Sequence, residues 1–454
     1  MKIKIVSYGL RHGKELKGMN VFYDVRFLQN PYWEKGLRYY TGVDKEVQDF
    51  VFASPESQCF LENLKQSLKF NFDNWGKSEE YVVGIACTGG QHRSVSVVEK
   101  LYEFFKDDYD VKKVHRDLDK AERFRSNKLL ENPNYVPRVV AFGGGSGLSH
   151  FLKGLKQFPL DITAIVTVSD DGGSTGTLRN LFEMPAPGDI RRVLLALSKK
   201  QDLFEELFNF RFSKDLNDGL KGHTIGNMVL AALNEINDKD FVKAVDDLAE
   251  ILDIQGRVIP VSKDMVRLGC EYTDGTMAYG EKNIPNSNKR IKQLFYEKKF
   301  RVNKKAVQAV LDADVVIFSP GSLYTSLLSN LIFPEMISAI NRTYGKKVFI
   351  GNIMTQTETT NYTMNDHISA LENVIGREAL DLVICNNNFD IAPNILNKYT
   401  ADGQELVKVL PSEIKYKYLC DDFISISNDN HIRHNARKLG YKIFNYAFEL
   451  LSED

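Results

Sequence analysis

The stretch VVAFGGGSGLSHFLKGL, residues 139–155, decides the fold because it places a run of glycines between an apolar strand and a helical repeat. Beyond the glycines, apolar residues recur with the helical spacing i, i+3, i+4, i+7: Leu148, Phe151, Leu152 and Leu155. Glycines let backbone N–H groups approach an anion closely, and a helix N-terminus adds partial positive charge. Gly144, Gly145 and Ser146 are therefore candidates for binding a phosphate or diphosphate.

The same glycine run also suits a tight turn between a strand and a helix, with no ligand at all. It departs from the dinucleotide-binding pattern GxGxxG, because the third position after Gly145 is Leu148. A nicotinamide cofactor is therefore not the favoured ligand.

Outward from this stretch, apolar strands alternate with segments of helical periodicity. The predicted strands cover residues 138–142, 162–168, 314–318, 347–351 and 381–385. The alternation predicts an α/β protein with a mostly parallel sheet in a Rossmann-like, three-layer arrangement. Residues 257–285 instead predict short strands joined by turns at 273–275 and 279–280, a β-rich excursion that could form a flap.

Two adjacent carboxylates follow the second predicted strand. The sequence SDDGGSTG places Asp170, Asp171 and Gly172 at its carboxyl end. Paired carboxylates there can accept hydrogen bonds from ribose hydroxyls, hold a hydrated Mg²⁺, or act as a base toward a substrate hydroxyl. The alternative is a solvated turn in which one aspartate caps a helix.

Further polar loops either precede helices or follow predicted strands. In PGDIR and GHTIGN, Asp189 and Thr224 are candidate helix caps. Arg191 and His223 near the same helix starts either reach an anion or serve a structural role. The remaining candidates, from GHTIGN, SPGSLYTS and NIMTQ, are Asn227, Gly321, Ser322, Tyr324, Thr325 and Asn352. Because the carboxyl ends of parallel strands meet at one edge of a sheet, we expect these loops to converge on one ligand.

In this order, the motifs GGGSGL, SDDGGSTG, PGDIR, GHTIGN, DGTMAYGEKNIP, SPGSLYTS and NIMTQ resemble the YvcK gluconeogenesis-factor family, whose relatives include CofD, the 2-phospho-L-lactate transferase. The resemblance runs from about Arg138 to beyond His367 and implies a Rossmann-type protein. For the YvcK branch it implies binding of UDP-N-acetylglucosamine and a regulatory role in cell-envelope and carbon metabolism and in cell shape. For the transferase branch it implies a guanylyl-activated phospholactate used with Mg²⁺.

Carried onto this chain residue by residue, the resemblance assigns two groups of site residues. One group would cradle the diphosphate: Gly144, Gly145, Ser146, Gly321, Ser322 and Thr325. The other would face sugar, metal or acceptor: Asp170, Asp171 and Asn227. Where the family commonly has Pro-Gly after MTQ, this chain reads TETTNY at residues 357–362, which leaves open the conformation of that loop and any contact by Tyr362.

A second strand, glycine loop and helix occurs near the N-terminus in YVVGIACTGGQHRS, followed by VSVVEKLYEFF. A phosphate in this loop would meet Thr88, Gly89, Gly90, His92 and Arg93. Arg11 and His12, at the end of the first strand, could add charge. Cys87 and Arg93 also have the C-x5-R spacing of cysteine phosphatases, with Ser94 next, so a phosphatase is an alternative.

The strings YDVRFLQNPYW, TGVD, CTGGQHRS and VHRDL resemble the C-terminal domain of the RapZ family over about Ile3 to Leu118. The resemblance implies a small-RNA adaptor that senses glucosamine-6-phosphate. Tyr32 and Gln91 depart from a His and a basic residue that are usual there, and no GxxxxGKS or GxxxxGKT sequence supports ATP hydrolysis through a P-loop. RNA binding needs clustered cations, and the obvious patch, which equally suits a solvated face, is Lys112, Lys113, His115 and Arg116.

The composition argues against several classes of protein. The 454 residues carry 59 Lys+Arg against 60 Asp+Glu, and this net charge of −1 provides no global attraction to nucleic acid or to an anionic membrane. No window approaches the ~20 apolar residues that a membrane helix needs, so we expect no membrane insertion. Five cysteines without a CxxC pair predict neither a zinc site nor a disulfide framework, which favours a cytoplasmic protein.

The polar segment at residues 120–137 is the predicted linker. It separates an N-terminal RapZ C-terminal-like domain, residues 1–130, from a YvcK/CofD-like domain, residues 137–454. We expect a regulatory protein whose large domain binds a nucleotide diphosphate-sugar and whose small domain binds a phosphorylated sugar or other metabolite. A Mg²⁺-dependent phosphoryl-group transferase with its metal on Asp170 and Asp171, and an RNA adaptor, are the alternatives. Assembly into a homo-oligomer stays open.

Overall fold

The computed structural model describes residues 2–452 apart from residues 11–17, 32–33, 35–36, 38–39, 76–79, 119–133, 201, 214–218, 286–288 and 428. The chain forms two compact units, one on each side of residues 119–133. Some predictions fall outside the described residues: the charge contributed by Arg11 and His12, the place of Tyr32, and most of the linker.

The first unit is built on four parallel strands. In spatial order these are β2 Val21–Asp24, β3 Tyr81–Cys87, β1 Lys2–Gly9 and β4 Asp110–His115. Its helices are α1 Lys45–Val51, α2 Pro55–Asp73 and α3 Arg93–Phe105. The two central strands, β1 and β3, are mostly buried, as is usual for parallel strands that are covered on both faces.

The second unit contains a seven-stranded parallel sheet that includes all five strands predicted from the sequence. In spatial order its strands are β14 Tyr418–Asp421, β13 Leu382–Asn386, β12 Lys346–Ile350, β11 Val315–Phe318, β5 Arg138–Gly143, β6 Asp161–Val166 and β7 Arg257–Pro260. Apolar side chains of these strands form the core, where the rings of Phe142 and Phe318 stack with their centroids 6.0 Å apart. The predicted α/β fold with a parallel sheet is confirmed.

The helices of this unit alternate with the strands as predicted. They are α4 Gly145–Leu155, α5 Gly173–Leu181, α6 Pro187–Leu197, α7 Asp202–Asn209, α8 Ile225–Ile236, α9 Phe241–Ile251, α10 Lys304–Asp312, α11 Pro334–Arg342, α12 Met364–Ile375, α13 Pro393–Thr400 and α14 Ala436–Ser452. The last helix, α14, packs on α4, which begins at the glycine run. A Cβ on Gly154 would lie 1.9 Å from the backbone oxygen of Ala436, so this close approach requires glycine.

The predicted β-rich excursion exists, but its predicted start is wrong. Residues 257–260 form β7, an edge strand of the main sheet, because this apolar segment pairs in parallel with β6. The excursion itself is an antiparallel sheet of β8 Leu268–Tyr272, β9 Met277–Tyr279 and β10 Ile291–Tyr296, with β8 in the middle. Two short strands near the C-terminus, β15 Ile424–Ile426 and β16 Ile432–His434, pair antiparallel with each other.

The prediction that the chain holds no disulfide is wrong. Cys385 on β13 and Cys420 on β14 are register partners in neighbouring parallel strands, and they are joined by a disulfide. The two cysteines are separated by 35 residues, so no short spacing pattern reveals the pair. Cys59 is exposed, whereas Cys87 and Cys270 are buried free thiols.

Within the described ranges, no single helix combines the length and the apolar composition that a bilayer crossing needs. One bent pair, Leu323–Asn330 with Pro334–Arg342, passes that test by length and composition alone.

Candidate ligand-binding site

The glycine loop between β5 and α4 is held by close backbone contacts. Gly145 has a φ of +58°, in the left-handed region that favours glycine. A Cβ on Gly144 would lie 2.5 Å from Oδ2 of Asp189, and one on Gly147 would lie 2.3 Å from the backbone oxygen of Pro320. The loop is therefore fitted between the start of α6 and the segment that follows β11, which confirms that these two segments meet at the glycines.

Asp189 is the buried anion of this loop. Its Oδ2 lies 2.5 Å from where a Cβ on Gly144 would stand, and Nη1 of Arg192 lies 3.0 Å from its Oδ1. Burial raises the pKa of Asp189 to about 6; the charge of Arg192 opposes the rise and repulsion from Asp170 adds to it. The prediction that Asp189 caps its helix is wrong, because Ala186 is the N-cap and Asp189 lies within the first turn.

Asp170 and Asp171 point to different elements. Oδ1 of Asp170 accepts the N–H of Gly172 at 2.9 Å, and Oδ2 lies 3.2 Å from where a Cβ on Gly188 would stand. Oδ1 of Asp171 instead accepts the N–H of Lys282 at 3.2 Å, in the turn after β9. The structure thus directs Asp170 toward Asp189 and uses Asp171 to hold the small antiparallel sheet.

That turn also brings a further carboxylate, Glu281, to the cluster. Its Oε2 lies 3.3 Å from Oγ of Ser169. Burial raises the pKa of Glu281 well above its ordinary value, and repulsion from Asp189 and Asp170 adds to the rise. Buried Arg179 lies behind the cluster and donates to the backbone oxygens of Ser169 and Val266, while burial lowers its pKa.

The carboxylates do not form a complete metal site by themselves. Among the residues that the structure describes, no three His, Cys, Asp or Glu side chains form a group that could hold a metal ion. Mg²⁺, however, is commonly held by one or two carboxylates together with water and the phosphates of a bound substrate. The predicted pair Asp170 and Asp171 directs its oxygens to different elements, to the N–H of Gly172 and to the N–H of Lys282.

The segment after β11 completes the edge of the sheet beside the glycine loop. The backbone N–H of Gly321 donates to Oδ1 of Asn352 at 3.0 Å, and Nδ2 of Asn352 donates to the Gly321 oxygen at 2.8 Å. Oγ of Ser322 donates to Oε1 of buried Glu358 at 2.6 Å and accepts the N–H of Thr325 at 3.2 Å. Residues 323–327 then form a single π-helical turn, a feature frequent at functional sites.

The loop at residues 357–362, which departs from the resembled family, has a defined conformation. The hydroxyls of Tyr324 and Tyr362 lie 2.9 Å apart in a buried contact. Burial is the main cause that raises the pKa of Tyr324, and the hydrogen bond to Tyr362 raises this pKa further. Tyr324 therefore belongs to a tyrosine pair that joins the segments after β11 and β12.

Three predicted residues lie around α8 in a polar group of their own. Nδ1 of His223 lies 2.9 Å from Oγ of Ser174, which also accepts from Nδ2 of Asn227 at 3.3 Å. Oδ1 of Asn227 is buried and has no hydrogen-bond partner among the described residues. Thr224 occupies the predicted N-cap position of α8. Its side chain, however, makes no cap hydrogen bond.

The neighbouring residues Arg191 and Arg192 have different roles, one structural and one beside the glycine loop. Arg191 is buried, and its Nη1 donates to the backbone oxygen of Phe208 and to Oδ1 of Asn209, both at 2.9 Å. Burial lowers the pKa of Arg191 to about 10, and repulsion from Arg192 contributes. Arg192 is the guanidinium beside the glycine loop, 3.8 Å from where a Cβ on Gly145 would stand.

Sequence reasoning missed Arg192, Glu281 and Glu358. Arg192 could have been found from its i, i+3 spacing to Asp189 on a predicted helix. Glu281 and Glu358 carry no local signal, because each is recruited by a partner that is distant in sequence.

The loop of the first unit, residues 87–94, follows β3 and leads into α3. Cys87 accepts the N–H of Gly90 at 3.2 Å, and its Sγ lies 3.1 Å from Oγ of Ser94. Arg93 is buried; its Nη1 donates to the backbone oxygens of Arg26 and Leu28, and its Nη2 donates to Oγ1 of Thr88 at 3.3 Å. The predicted strand, glycine loop and helix are present, and Arg93 ties the loop to the segment after β2.

The predicted basic patch of this unit is largely paired. Nζ of Lys113 and Nε2 of His115 both lie 2.7 Å from oxygens of Glu99. Arg116 pairs with buried Asp117 at 2.6 Å. Most of these cations therefore already have carboxylate partners within the unit.

Comparison with known proteins gives matches that coincide with these two loop systems. Residues 139–423 match the family model described as 2-phospho-L-lactate transferase CofD, and residues 1–119 match the RapZ C-terminal domain. The gluconeogenesis factor of Bacillus subtilis is 42% identical over 308 residues, which are 67% of this chain and 96% of that protein. The gluconeogenesis factor of Halalkalibacterium halodurans is 40% identical over 311 residues, 67% of this chain and 95% of that protein. A crystal structure of a Bacillus halodurans protein, 39% identical, aligns with a TM-score of 0.65 over 68% of this chain and 99% of that chain.

Proposed function

The chain belongs to the gluconeogenesis factor family and carries a RapZ C-terminal domain before its CofD-like domain, and from this premise we propose that it is a regulatory protein. Its CofD-like domain binds UDP-N-acetylglucosamine at the glycine loop. Binding reports the supply of this cell-envelope precursor, and the protein adjusts carbon metabolism and cell shape in response.

The observation that carries this proposal is the meeting of the glycine loop with a cation. The glycine loop packs too closely on its neighbours to carry side chains at Gly144 and Gly147, and the half-exposed guanidinium of Arg192 lies beside Gly145. Backbone N–H groups at a helix start together with an arginine are the donors that a diphosphate requires. The loops at 321–325 and 352 border the same glycines and supply hydroxyl and amide groups for the remainder of the ligand.

The same geometry makes Mg²⁺ part of the proposal. Asp189 lies against Gly144 and Gly145, where a phosphate would approach, and Asp170 adds a second negative charge nearby. A diphosphate would be repelled by these carboxylates unless a divalent cation lay between them. When bound, the ion supplies this charge neutralisation, with Asp170 and Asp189 as its protein ligands.

Calorimetry on the full chain tests the proposal with UDP-N-acetylglucosamine, GDP and glucosamine-6-phosphate, each with and without Mg²⁺. We expect saturable binding of the UDP-sugar that is strengthened by Mg²⁺ and leaves the ligand unchanged. Arg192→Gln should weaken it about tenfold through loss of a charge-assisted contact. Lys199→Gln, just beyond the far end of the same helix, is the matched control and should bind normally. Absence of UDP-sugar binding, or equal binding by both variants, would refute the proposal.

A transferase of a phosphorus-containing group is the second candidate, and the carboxylate cluster favours it. A carboxylate with a raised pKa, such as Asp189 or Glu281, can accept the proton of an acceptor hydroxyl. Product analysis of the same mixtures separates the two, because Mg²⁺-dependent conversion of a nucleotide ligand would establish the transferase.

For the first unit we propose a phosphorylated sugar as ligand of the 87–94 loop. The N–H groups at the start of α3 and the hydroxyls of Thr88 and Ser94 suit a phosphate monoester. The glucosamine-6-phosphate titration tests this directly, with Thr88→Val as the variant that removes a hydroxyl. RNA binding that falls steeply with salt would instead identify an adaptor.

A further inference from the structure

A cleft of about 510 Å³ lies in the second unit, apart from the glycine loop. It opens between β10 of the small antiparallel sheet and the exposed side of α12, and residues that follow β11 form its floor. None of its lining residues comes from the glycine loop, the 170–173 loop or the start of α6. Its volume falls within the range of small-molecule sites.

The walls of the cleft are divided between apolar and polar groups. Along α12, the helical spacing brings Ala370 and Val374 to the cleft beside the polar side chains Ser369 and Asn373. Leu328 and residues of α11 continue the apolar surface. This division suits a ligand with an apolar body and a polar end, because each part then meets matching groups.

Arg290 supplies the positive charge of the cleft. Its guanidinium lies 5.5 Å from the centroid of the Tyr362 ring, and it has no ion pair with any described residue. Lys292, next along β10, is already paired with Glu271 at 2.7 Å. Asp366 serves in the capping box of α12, where the helix start stabilises its charge. An arginine stacked on an aromatic ring keeps its N–H groups free for a carboxylate or phosphate.

We propose that this cleft is a second ligand site, for a small molecule that combines an apolar body with a single carboxylate or phosphate. Arg290 binds the oxyanion, and the apolar wall formed by Leu328, Ala370 and Val374 receives the body. The two tyrosines, Tyr324 and Tyr362, also line the cleft, and Tyr324 follows Gly321 by three residues.

The tyrosine pair links this cleft to the glycine loop. Two hydrogen bonds join the segment at 322–325 to the segment at 358–362: Ser322 to Glu358 and Tyr324 to Tyr362. The first lies one residue from Gly321, which packs on Gly147, and the second lines the cleft. A ligand that orders the tyrosine pair therefore also restrains the Gly321–Thr325 backbone.

The first test measures binding of 2-naphthoate, an aromatic carboxylate, to the full chain. Ligand-observed NMR detects the binding. We expect saturable binding at millimolar concentration, as the size of this probe allows. Arg290→Gln should weaken it about tenfold, and Ala370→Trp, which fills the cleft, should abolish it. Lys304→Gln, an exposed cation at the start of α10, is the matched control and should bind normally. Because Arg290 is exposed, Arg290→Gln should melt like the natural chain, so its result stands even if Ala370→Trp fails to fold.

The second test is hydrogen exchange of the peptide that covers residues 320–326, with and without the probe. The probe should slow exchange there, and Tyr362→Phe should remove the slowing while leaving the probe bound. Probe binding that is the same in Arg290→Gln and in the natural chain, or the absence of saturable binding, would overturn the site. Unchanged exchange at 320–326 with the probe bound would overturn the link. Neither readout depends on UDP-N-acetylglucosamine, so these failures are distinct from a failure of the proposed function.

Discussion

The two glycine loops of this molecule share one local design and differ in charge. Each follows a buried parallel strand and leads into a helix, at Cys87–Arg93 in the first unit and at Gly143–Gly145 in the second. In the first loop, the hydrogen bonds of Cys87 and Arg93 run to backbone groups and hydroxyls. In the second, the carboxylate of buried Asp189 lies against the loop, with Oδ2 2.5 Å from where a Cβ on Gly144 would stand.

This difference teaches that a glycine loop does not by itself define an anion site. The first loop presents neutral donors, because the guanidinium of Arg93 is buried against backbone oxygens and Thr88, and we expect it to accept a phosphate without a metal ion. The second already contains an anion, so a phosphate ligand must arrive with a cation or displace the carboxylate. The two loops should therefore differ in stability, in pH dependence and in metal dependence.

The largest difference should come from adding one methyl group to each loop. Gly147→Ala places a Cβ 2.3 Å from a backbone oxygen, which cannot move away cheaply, and should lower the free energy of unfolding of the second unit by about 3 kcal/mol. Gly89→Ala meets nothing within 4 Å and should change stability by less than about 0.5 kcal/mol. Thermal and urea unfolding of the full chain measure both. Equal effects of the two variants would show that the second loop is not tightly packed.

The next largest expected effect is on stability and comes from the disulfide of the second unit. Reduction of Cys385–Cys420 should lower the stability of the second unit by about 2 kcal/mol, because the unfolded chain gains freedom when this link is opened. The Cys385→Ser, Cys420→Ser double variant should lose this sensitivity to reductant. Cys59→Ser, which removes an exposed free thiol, should keep it. Identical unfolding of the second unit with and without reductant would contradict this role.

Ligand binding to the two loops should respond differently to pH. Burial raises the pKa of Asp189 to about 6, so below pH 6 this carboxylate is mostly protonated and attracts Mg²⁺ weakly. Binding of UDP-N-acetylglucosamine with Mg²⁺ should therefore strengthen about tenfold from pH 5 to pH 7. Asp189→Asn should flatten this profile, as calorimetry at several pH values can check. The profile of the 87–94 loop, measured with glucosamine-6-phosphate, is expected to differ, since Asp189 takes no part there; a shared profile would argue against this assignment.

The smallest expected effect concerns acid stability of the second unit. Burial lowers the pKa of His434 to about 4, with repulsion from His150 contributing and the hydrogen bond to the Gly351 oxygen opposing the shift. Since the unfolded chain protonates this side chain near pH 6.5, its contribution is present above that pH and is lost as the pH falls toward 4. At pH 5 the loss should be about 1 kcal/mol after allowance for partial exposure. His434→Gln should reduce the slope of stability against pH; an unchanged slope would exclude His434.

Much of the fold could be predicted because the strands of a covered parallel sheet carry their own apolar signal. All five predicted strands lie in the main sheet. Of the two edge strands, β7 was predicted as a strand but assigned to the β-rich excursion, and β14 was missed, because the pairing of an edge strand depends on its neighbour in the sheet. The Cys385–Cys420 pair was missed for a related reason, since register between strands is invisible in one-dimensional spacing.

The candidate site could be predicted only in part. Glycines with special conformations are local features, so the loop at Gly144 and Gly145 was found from the sequence. The partners of charged groups are not local: Asp171 accepts a hydrogen bond from the N–H of Lys282, and Arg191 donates one to the backbone oxygen of Phe208. Which of two neighbouring charged residues faces a site depends on packing that only the folded chain defines.

A crystal structure of the full chain grown with UDP-N-acetylglucosamine and Mg²⁺ tests the central claim most directly. We predict the diphosphate beside Gly145 and Arg192, with the metal ion between it and the carboxylates of Asp170 and Asp189. A UDP-sugar bound away from the glycine loop, or a glycine loop that stays without ligand at saturating concentration, would contradict it.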